Sequence, residues 1–217
     1  MKFFRLDSSI HIEGSVTRAL ADVVEQEWIR EFPDAEFVHR DLGLHQLPSV
    51  WPDAEARRVA PEDALTDEQR AASALAAELV DELLTSDAYI FAVPMYNFGV
   101  PHQVKQWIDM IITDSRACDV NIPLLPGRPA VLVEARGGGY TPGTPREGWN
   151  HATPYLERVL GDIWGLDVSL ATAELTMAHA YPAMADLRDL AREQLAEAHA
   201  SAGRHALGIA KGLGQRA

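Results

Sequence analysis

The chain has 217 residues, 47% hydrophobic and 24% charged, the make-up of a globular protein whose core needs no staples. Its 19 Lys and Arg against 32 Asp and Glu leave a formal charge of −13, which argues against a nucleic-acid partner but not against a small anionic ligand held by local donors. The one cysteine, Cys118, excludes an internal disulfide framework and fits a reducing compartment.

Lys2–Leu6 reads as a buried strand, and the apolar lead before Asp7 is too short for a signal peptide, so a cytoplasmic location is expected. No run approaches the roughly 18 apolar residues of a membrane span. A polar loop follows, Asp7 to Gly14. Val16, Leu20, Val23, Val24 and Trp28 then recur at helical spacing up to Phe32-Pro33. Glu36–Arg40 is a second short strand, and residues 47–61 are punctuated by proline. Thr66 with Gln69 forms a capping box that opens a helix with Leu75, Leu79, Val80, Leu83 and Leu84 on its apolar face. Ala88–Val93 is a continuous apolar run of the kind found in central parallel strands.

Pro94 ends that strand and Pro101 can occupy the first position of the next helix, whose buried face is Val104, Trp107, Ile108, Ile111 and Ile112. Pro129–Ala135 is a fourth strand and runs into Arg136-Gly137-Gly138-Gly139. Ala152–Trp164 reads as a helix stopped by Gly165, Asp167–Ala173 as a fifth strand, and Tyr181 to about Lys211 as one long Ala-rich helix with a potential break at Gly203. No repeat, low-complexity tract or linker interrupts the pattern. Strands alternating with helices imply a three-layer α/β protein with a parallel sheet covered on both faces.

Ligands of such sheets bind beyond the carboxyl ends of the strands, where the strand order reverses. Three loops at that edge are chemically unusual. After the first strand, the hydroxyls of Ser9, Ser15 and Thr17 converge on a helix start, whose free N–H groups favour an anion. The loop has no lysine, no Walker glycines and no GxGxxG, so a phosphate monoester fits better than ATP or a dinucleotide. The plain alternative is that Ser15 is only an N-cap. After the third strand, Tyr96 and Phe98 bracket Asn97, a set that can line a flat ring and hydrogen-bond its polar rim, or else simply seal the top of the sheet. After the fourth, Gly137 and Gly138 allow close backbone approach and Arg136 adds a positive charge, the alternative being a flexible hairpin. Taken together, the loops suit phosphate, ring and ring edge of flavin mononucleotide.

The run Pro94-Met95-Tyr96-Asn97-Phe98, then Val100-Pro101, Gln103, Lys105 and Asp109, resembles the most specific motif of the FMN-dependent azoreductases, also described as FMN-dependent NADH:quinone oxidoreductases. Asp7-Ser8-Ser9 with Ser15-Val16-Thr17, Arg136-Gly137-Gly138, Thr153-Pro154-Tyr155-Leu156, Gly161, Gly165 and Ala173-Glu174 are similar to further family positions, over roughly residues 2–200. The resemblance implies a single flavodoxin-like, FMN-binding domain over residues 1–217, a sheet of order 2-1-3-4-5, and a homodimer with the flavins near its interface. It implies that Ser9, Ser15, Val16 and Thr17 bind the phosphate, that Met95, Tyr96, Asn97 and Phe98 hold the isoalloxazine, and that Arg136, Gly137 and Gly138 contact its far edge.

The implied reaction is two-electron, ping-pong hydride transfer from NADH or NADPH through the flavin to a quinone or azo acceptor, without a protein nucleophile. Asn97 and Arg136 would give electrostatic support. Two departures stand out. Ala135 replaces the family's usual Ser, removing a polar contact, and residues 120–127 are shorter than their usual counterpart, which implies a reshaped substrate pocket. The eight histidines show no metal spacing. His11, His102 and His151 lie in or near the loops and are candidates to bond a quinone oxygen; His199 and His205 read as surface residues and Cys118 as a small hydrophobe. A non-catalytic flavodoxin-like electron carrier, and a relative that has lost FMN, are the alternative readings.

Overall fold

The computed structural model of the chain describes residues 1–215, apart from the side chain of Glu62. Five strands, β1 (Lys2–Asp7), β2 (Glu36–Asp41), β3 (Ala88–Pro94), β4 (Pro129–Ala135) and β5 (Asp167–Ala173), form one parallel sheet in the order β2-β1-β3-β4-β5. The predicted strands and the predicted order are both observed. The order reverses between β1 and β3, so the crevice at their carboxyl ends is the expected ligand position.

Alternation along the strands divides the core in two. Phe4, Leu6, Tyr89, Phe91, Val93 and Leu132 face α3 (Asp67–Leu84) and α4 (His102–Ile112), where Leu79, Leu83, Trp107, Ile108 and Ile111 are buried. Phe3, Ile90, Ala92, Val131 and Val133 face the opposite layer, made by α1 (Val16–Glu31) and α6 (Arg188–Gly214). Ala198, Ala202, Ala206 and Ala210 recur every fourth residue on α6, and this smooth stripe lets α1 approach closely enough for Trp28 Nε1 to donate to Ala206 O at 3.1 Å.

Both expected caps form: Ser15 Oγ accepts from Arg18 N, and Thr66 and Gln69 make the reciprocal capping box. Other expectations need correction. Within the proline-punctuated residues 47–61, for which the sequence pattern predicts no helix, Pro52 sits in the first turn of a short one, α2 (Trp51–Ala56), where its missing N–H is tolerated. Pro101 is the residue before α4 rather than its first residue. The segment read as one helix from Ala152 is α5 (Thr153–Leu156) running into a π-helical stretch, Glu157–Ile163, in which Trp164 N bonds Val159 O five residues back. That wider turn keeps Leu160 and Trp164 both in the core, Trp164 edge-on to Trp107 at 5.4 Å. Before α6, Pro182–Leu187 form a 3₁₀ turn, and Gly203 does not break α6 because it sits inside the continuous helix facing Val23. His199 and His205 of α6 are half-buried rather than fully on the surface.

Candidate functional site

The loop after β1 is anchored from below. Ser8 is fully buried and both its N–H and Oγ donate to Ala92 O of β3, at 3.1 and 2.9 Å; its carbonyl accepts from Gln103 Nε2 at 2.8 Å. Ser8 is therefore a splint between β1 and α4, which leaves Ser9 as the hydroxyl beside the crevice. Ser9 Oγ accepts from His11 N at 3.2 Å and lies 3.4 Å from the Tyr96 hydroxyl, which in turn accepts from Ile10 N at 3.2 Å. Tyr96 thus ties the β3 loop to the β1 loop.

Ser15 and Thr17 meet at the start of α1, their hydroxyl oxygens 3.2 Å apart. The N–H groups of Val16 and Thr17 in the first turn have no helical acceptor, as helix geometry requires. Behind them Arg18 donates to Ser9 O at 2.8 Å and His11 O at 3.2 Å while holding both oxygens of Asp41, at 2.6 and 2.9 Å. Burial alone would raise the Asp41 carboxyl, but the Arg18 guanidinium and the N–H groups of Leu44 and Gly43 hold it below the usual carboxylate range. Arg18, Asp41 and Gly43 were not singled out from the sequence, since their partnership joins loops far apart in the chain.

The β3 loop is a tight turn. Tyr96 and Gly99 exchange both backbone hydrogen bonds at 3.0 Å, and the two residues between them, Asn97 and Phe98, have φ of 48° and 70°. Left-handed backbone at two successive non-glycine residues is strained, and such strain concentrates at functional positions. Among the described residues the N–H groups of Asn97 and Phe98 make no hydrogen bond. Met95 is buried and donates its N–H to Ala135 O at 3.0 Å. Phe98 is 39% exposed, with Trp149 edge-on at 5.5 Å and Tyr140 at 6.4 Å. His151 N bonds Phe98 O at 2.9 Å, which brings the β4 excursion onto the turn.

Beside this turn lies a groove of about 820 Å³ lined by Trp51, Tyr96, Asn97, His102, Lys105, Gln106, His151 and Tyr155 among others. Gln106 Nε2 donates to Leu47 O and Pro48 O and so fixes one wall against α4. His102 and His151 line this groove, while His11 is an exposed residue of the β1 loop.

Arg136 is engaged by partners within the chain. Its side chain is buried and donates to Glu134 at 2.7 Å, Glu174 at 2.9 Å and Thr153 Oγ1 at 2.6 Å. Its charge is committed to two buried carboxylates that need it. Thr153 also donates to Glu134 at 2.6 Å and accepts from Asn150 Nδ2 at 2.8 Å. Burial pushes the Glu134 carboxyl up, and Arg136 and Thr153 oppose that only in part. The lone charge inside the apolar run of β4 was the sequence signal for this network. Glu174 Oε2 accepts from Tyr140 N at 3.0 Å, so the network reaches the glycine loop.

Gly137 and Gly138 also leave space that side chains of the chain itself occupy. A Cβ on Gly137 would meet Met177 Cγ at 2.8 Å, and one on Gly138 would meet Arg146 Nη1 at 2.7 Å. In residues 120–127, Leu124 and Leu125 are buried and Leu125 N and Gly127 N bond Trp164 O and Gly165 O, while Val120 and Ile122 are exposed. Among the described residues no group of His, Cys, Asp or Glu could hold a metal ion.

A protein-family model described as flavodoxin-like fold matches residues 1–201. The chain is 37% identical over 200 residues to an FMN-dependent NADH:quinone oxidoreductase of Frankia casuarinae, covering 91% of this chain and 94% of the relative. It is 36% identical over 198 residues to a protein of the same description from Streptomyces avermitilis, covering 91% of each. The solved azoreductase of Bacillus anthracis superposes with a TM-score of 0.78 at 20% identity, covering 95% of this chain and 98% of that one.

Proposed function

This chain belongs to the family of FMN-dependent NADH:quinone oxidoreductases, with the flavodoxin-like fold, and from that premise we propose that it passes two electrons from NADH or NADPH to quinones or azo compounds. The observation that carries the reading is the Tyr96–Gly99 turn: two strained residues whose N–H groups find no partner among the described residues, beside a half-exposed aromatic ring. A flavin ring offers those donors the acceptors they lack, which tests the fit of the cofactor on the protein's own geometry.

In this reading Ser9, Ser15, Val16 and Thr17 hold the FMN phosphate with hydroxyls and helix N–H groups, and no lysine is required. Met95, Tyr96, Asn97 and Phe98 position the ring, and the backbone of Gly137 and Gly138 borders its far edge. When bound, FMN supplies the two-electron redox chemistry. The chain contributes binding, orientation and exclusion of water; Asn97 gives electrostatic support, and Arg136 gives it through the loop it holds rather than by contact. Residues 1–217 act as a single FMN-binding domain.

The protein is cytoplasmic and works as a homodimer. Family membership supports the dimer, as do the exposed apolar side chains of Ile10, Ile12 and Leu44 on the loops after β1 and β2. Among the described residues no helix is long and apolar enough to cross a membrane, and the acidic surface gives no footing for nucleic acid.

The test is anaerobic titration of the FMN-loaded protein with NADH and NADPH, followed by menadione or an azo dye. Bleaching and full return of the flavin absorbance over repeated cycles are expected. If neither nicotinamide reduces the flavin, the protein is an electron carrier and the reading fails. Light scattering in solution decides the dimer.

A further inference from the structure

The loop between β4 and α5 holds a charged group, Arg146, that neither the Arg136 network nor the Tyr96–Gly99 turn engages. Among the described residues Arg146 is the only arginine without a hydrogen bond or ion pair. In a chain of net charge −13, a guanidinium with no carboxylate on it is unusual. The acidic residues of the same loop cluster are engaged elsewhere: Glu147 accepts from Gly143 N at 2.8 Å, and Glu174 bridges Arg136 and Tyr140 N.

Arg146 is an exposed residue whose guanidinium lies against the glycine loop. Its Nη1 occupies the space beside Gly138 where a side chain would begin, next to the Tyr140 ring, 3.6 Å from the same Cβ position. Gly138 has no positive φ, and the space its missing side chain leaves is filled by the tip of Arg146 with the Tyr140 ring alongside. The loop that carries Arg146 is held down at both ends, by Thr144 Oγ1 on Gly139 O at 3.1 Å and by His151 N on Phe98 O at 2.9 Å. Between them Trp149 stands edge-on to Phe98. The same rim therefore presents flat apolar rings and a planar, unpaired cation.

We propose that Arg146 is a specificity-determining residue of the substrate site, where it recognises an anionic substituent (carboxylate, sulfonate or phosphate) on the flat molecule that approaches Phe98 and Trp149. The fork of a guanidinium matches the oxygens of all three groups, and aromatic walls take the ring that bears them. The inference rests on the oxidoreductase reading for the identity of that molecule. The anion belongs either to the acceptor or to the nicotinamide donor.

The experiment compares wild type with Arg146→Ala and Arg146→Lys in steady state, with menadione and naphthoquinone sulfonate as neutral and anionic acceptors and NADH and NADPH as donors. Calorimetric binding of anthraquinone sulfonate to the oxidised, FMN-loaded protein is measured alongside, at low and high salt. If the acceptor carries the anion, Arg146→Ala raises KM for naphthoquinone sulfonate about fivefold, leaves menadione within about twofold, and weakens anthraquinone sulfonate and its salt dependence together. If the donor carries it, KM for NADH and NADPH rises by a similar factor while both quinones are unchanged. Arg146→Lys recovers part of either effect. Equal losses in every arm, or no loss in any, overturn the proposal. Failure of both nicotinamides to reduce the flavin overturns the functional reading instead, and the anthraquinone sulfonate binding then decides for or against Arg146 alone.

Discussion

Arg136 and Glu174 form a buried ion pair at 2.9 Å, and the second oxygen of the same carboxylate accepts from Tyr140 N at 3.0 Å. One carboxylate therefore connects the end of β4, the end of β5 and the glycine loop. Tyr140 leans on Phe98, so the chain of contacts reaches from the sheet interior to the strained turn.

The first prediction concerns that pair. Arg136→Ala leaves Glu134 and Glu174 buried without a counter-charge, and the loss of stability should be about 3 kcal/mol, read from urea unfolding of the FMN-loaded protein. FMN affinity should fall as well, because the loop loses its hold on Tyr140. Glu174→Gln keeps an acceptor for Tyr140 N and should weaken FMN less than Glu174→Ala does. If Arg136→Ala changes FMN affinity at unchanged stability, Arg136 touches the flavin directly and the buried network has been given the wrong role.

The second prediction separates backbone strain from side-chain chemistry at Asn97. With φ at 48°, the stability order should be Asn97→Gly at or above wild type and Asn97→Ala about 1 kcal/mol below it, since alanine lacks both freedom and a local hydrogen bond in the left-handed region. Both variants should bind FMN more weakly if the amide contacts the ring. Thermal unfolding of the apoprotein gives the first ranking and fluorescence titration with FMN the second. Unfolding curves that do not distinguish Gly from Ala would refute the strain.

The strands and the main helices were legible because each carries a periodicity that burial enforces: the all-apolar run of β3, and the Val104, Trp107, Ile108 and Ile111 face of α4. Ser15 at the cap and Tyr96-Asn97-Phe98 in the turn were legible too, because caps and strand-end loops have local chemistry. Pairings that span the chain were not. Arg18 with Asp41 and Arg136 with Glu174 join residues 23 and 38 positions apart, and nothing local distinguishes them from exposed charges. The neighbour of Gly138 was not legible for the same reason, since what fills the space beside it is Arg146, on a later part of the loop.

The third prediction is a pH dependence from Asp41. Its carboxyl titrates lower in the fold than in the unfolded chain, so the unfolded chain binds more protons in the window between. The stabilisation is therefore complete above the ordinary carboxylate value, about 4, and is lost as pH falls through the lower folded value. The difference in Tm between wild type and Asp41→Asn should be largest near neutrality and close on acidification below pH about 4. Because Arg18 also holds Ser9 O and His11 O, FMN affinity of Asp41→Asn should be weaker at neutral pH. A Tm difference that grows on acidification would contradict the assignment.

The last prediction tests whether the β1 loop holds the phosphate, and it uses a residue that touches no ligand. A Cβ on Gly43 would stand 2.0 Å from Ser9 O and 2.9 Å from Arg18 Nη2, both closer than real atoms approach. Ser9 O belongs to a backbone already bonded from several sides, so Gly43→Ala must displace the Ser9 segment or its own loop. The variant should lose about 1–3 kcal/mol of stability. It should bind FMN at least tenfold more weakly, by about the free energy of one charge-assisted hydrogen bond. Gly208→Ala is the control: in α6, with nothing within 4 Å of the added carbon, it should raise stability by up to about 1 kcal/mol and leave FMN binding alone. If Gly43→Ala unfolds more easily yet binds FMN as wild type does, Ser9 is not a phosphate ligand, and the anion site contracts to Ser15, Val16 and Thr17 at the start of α1.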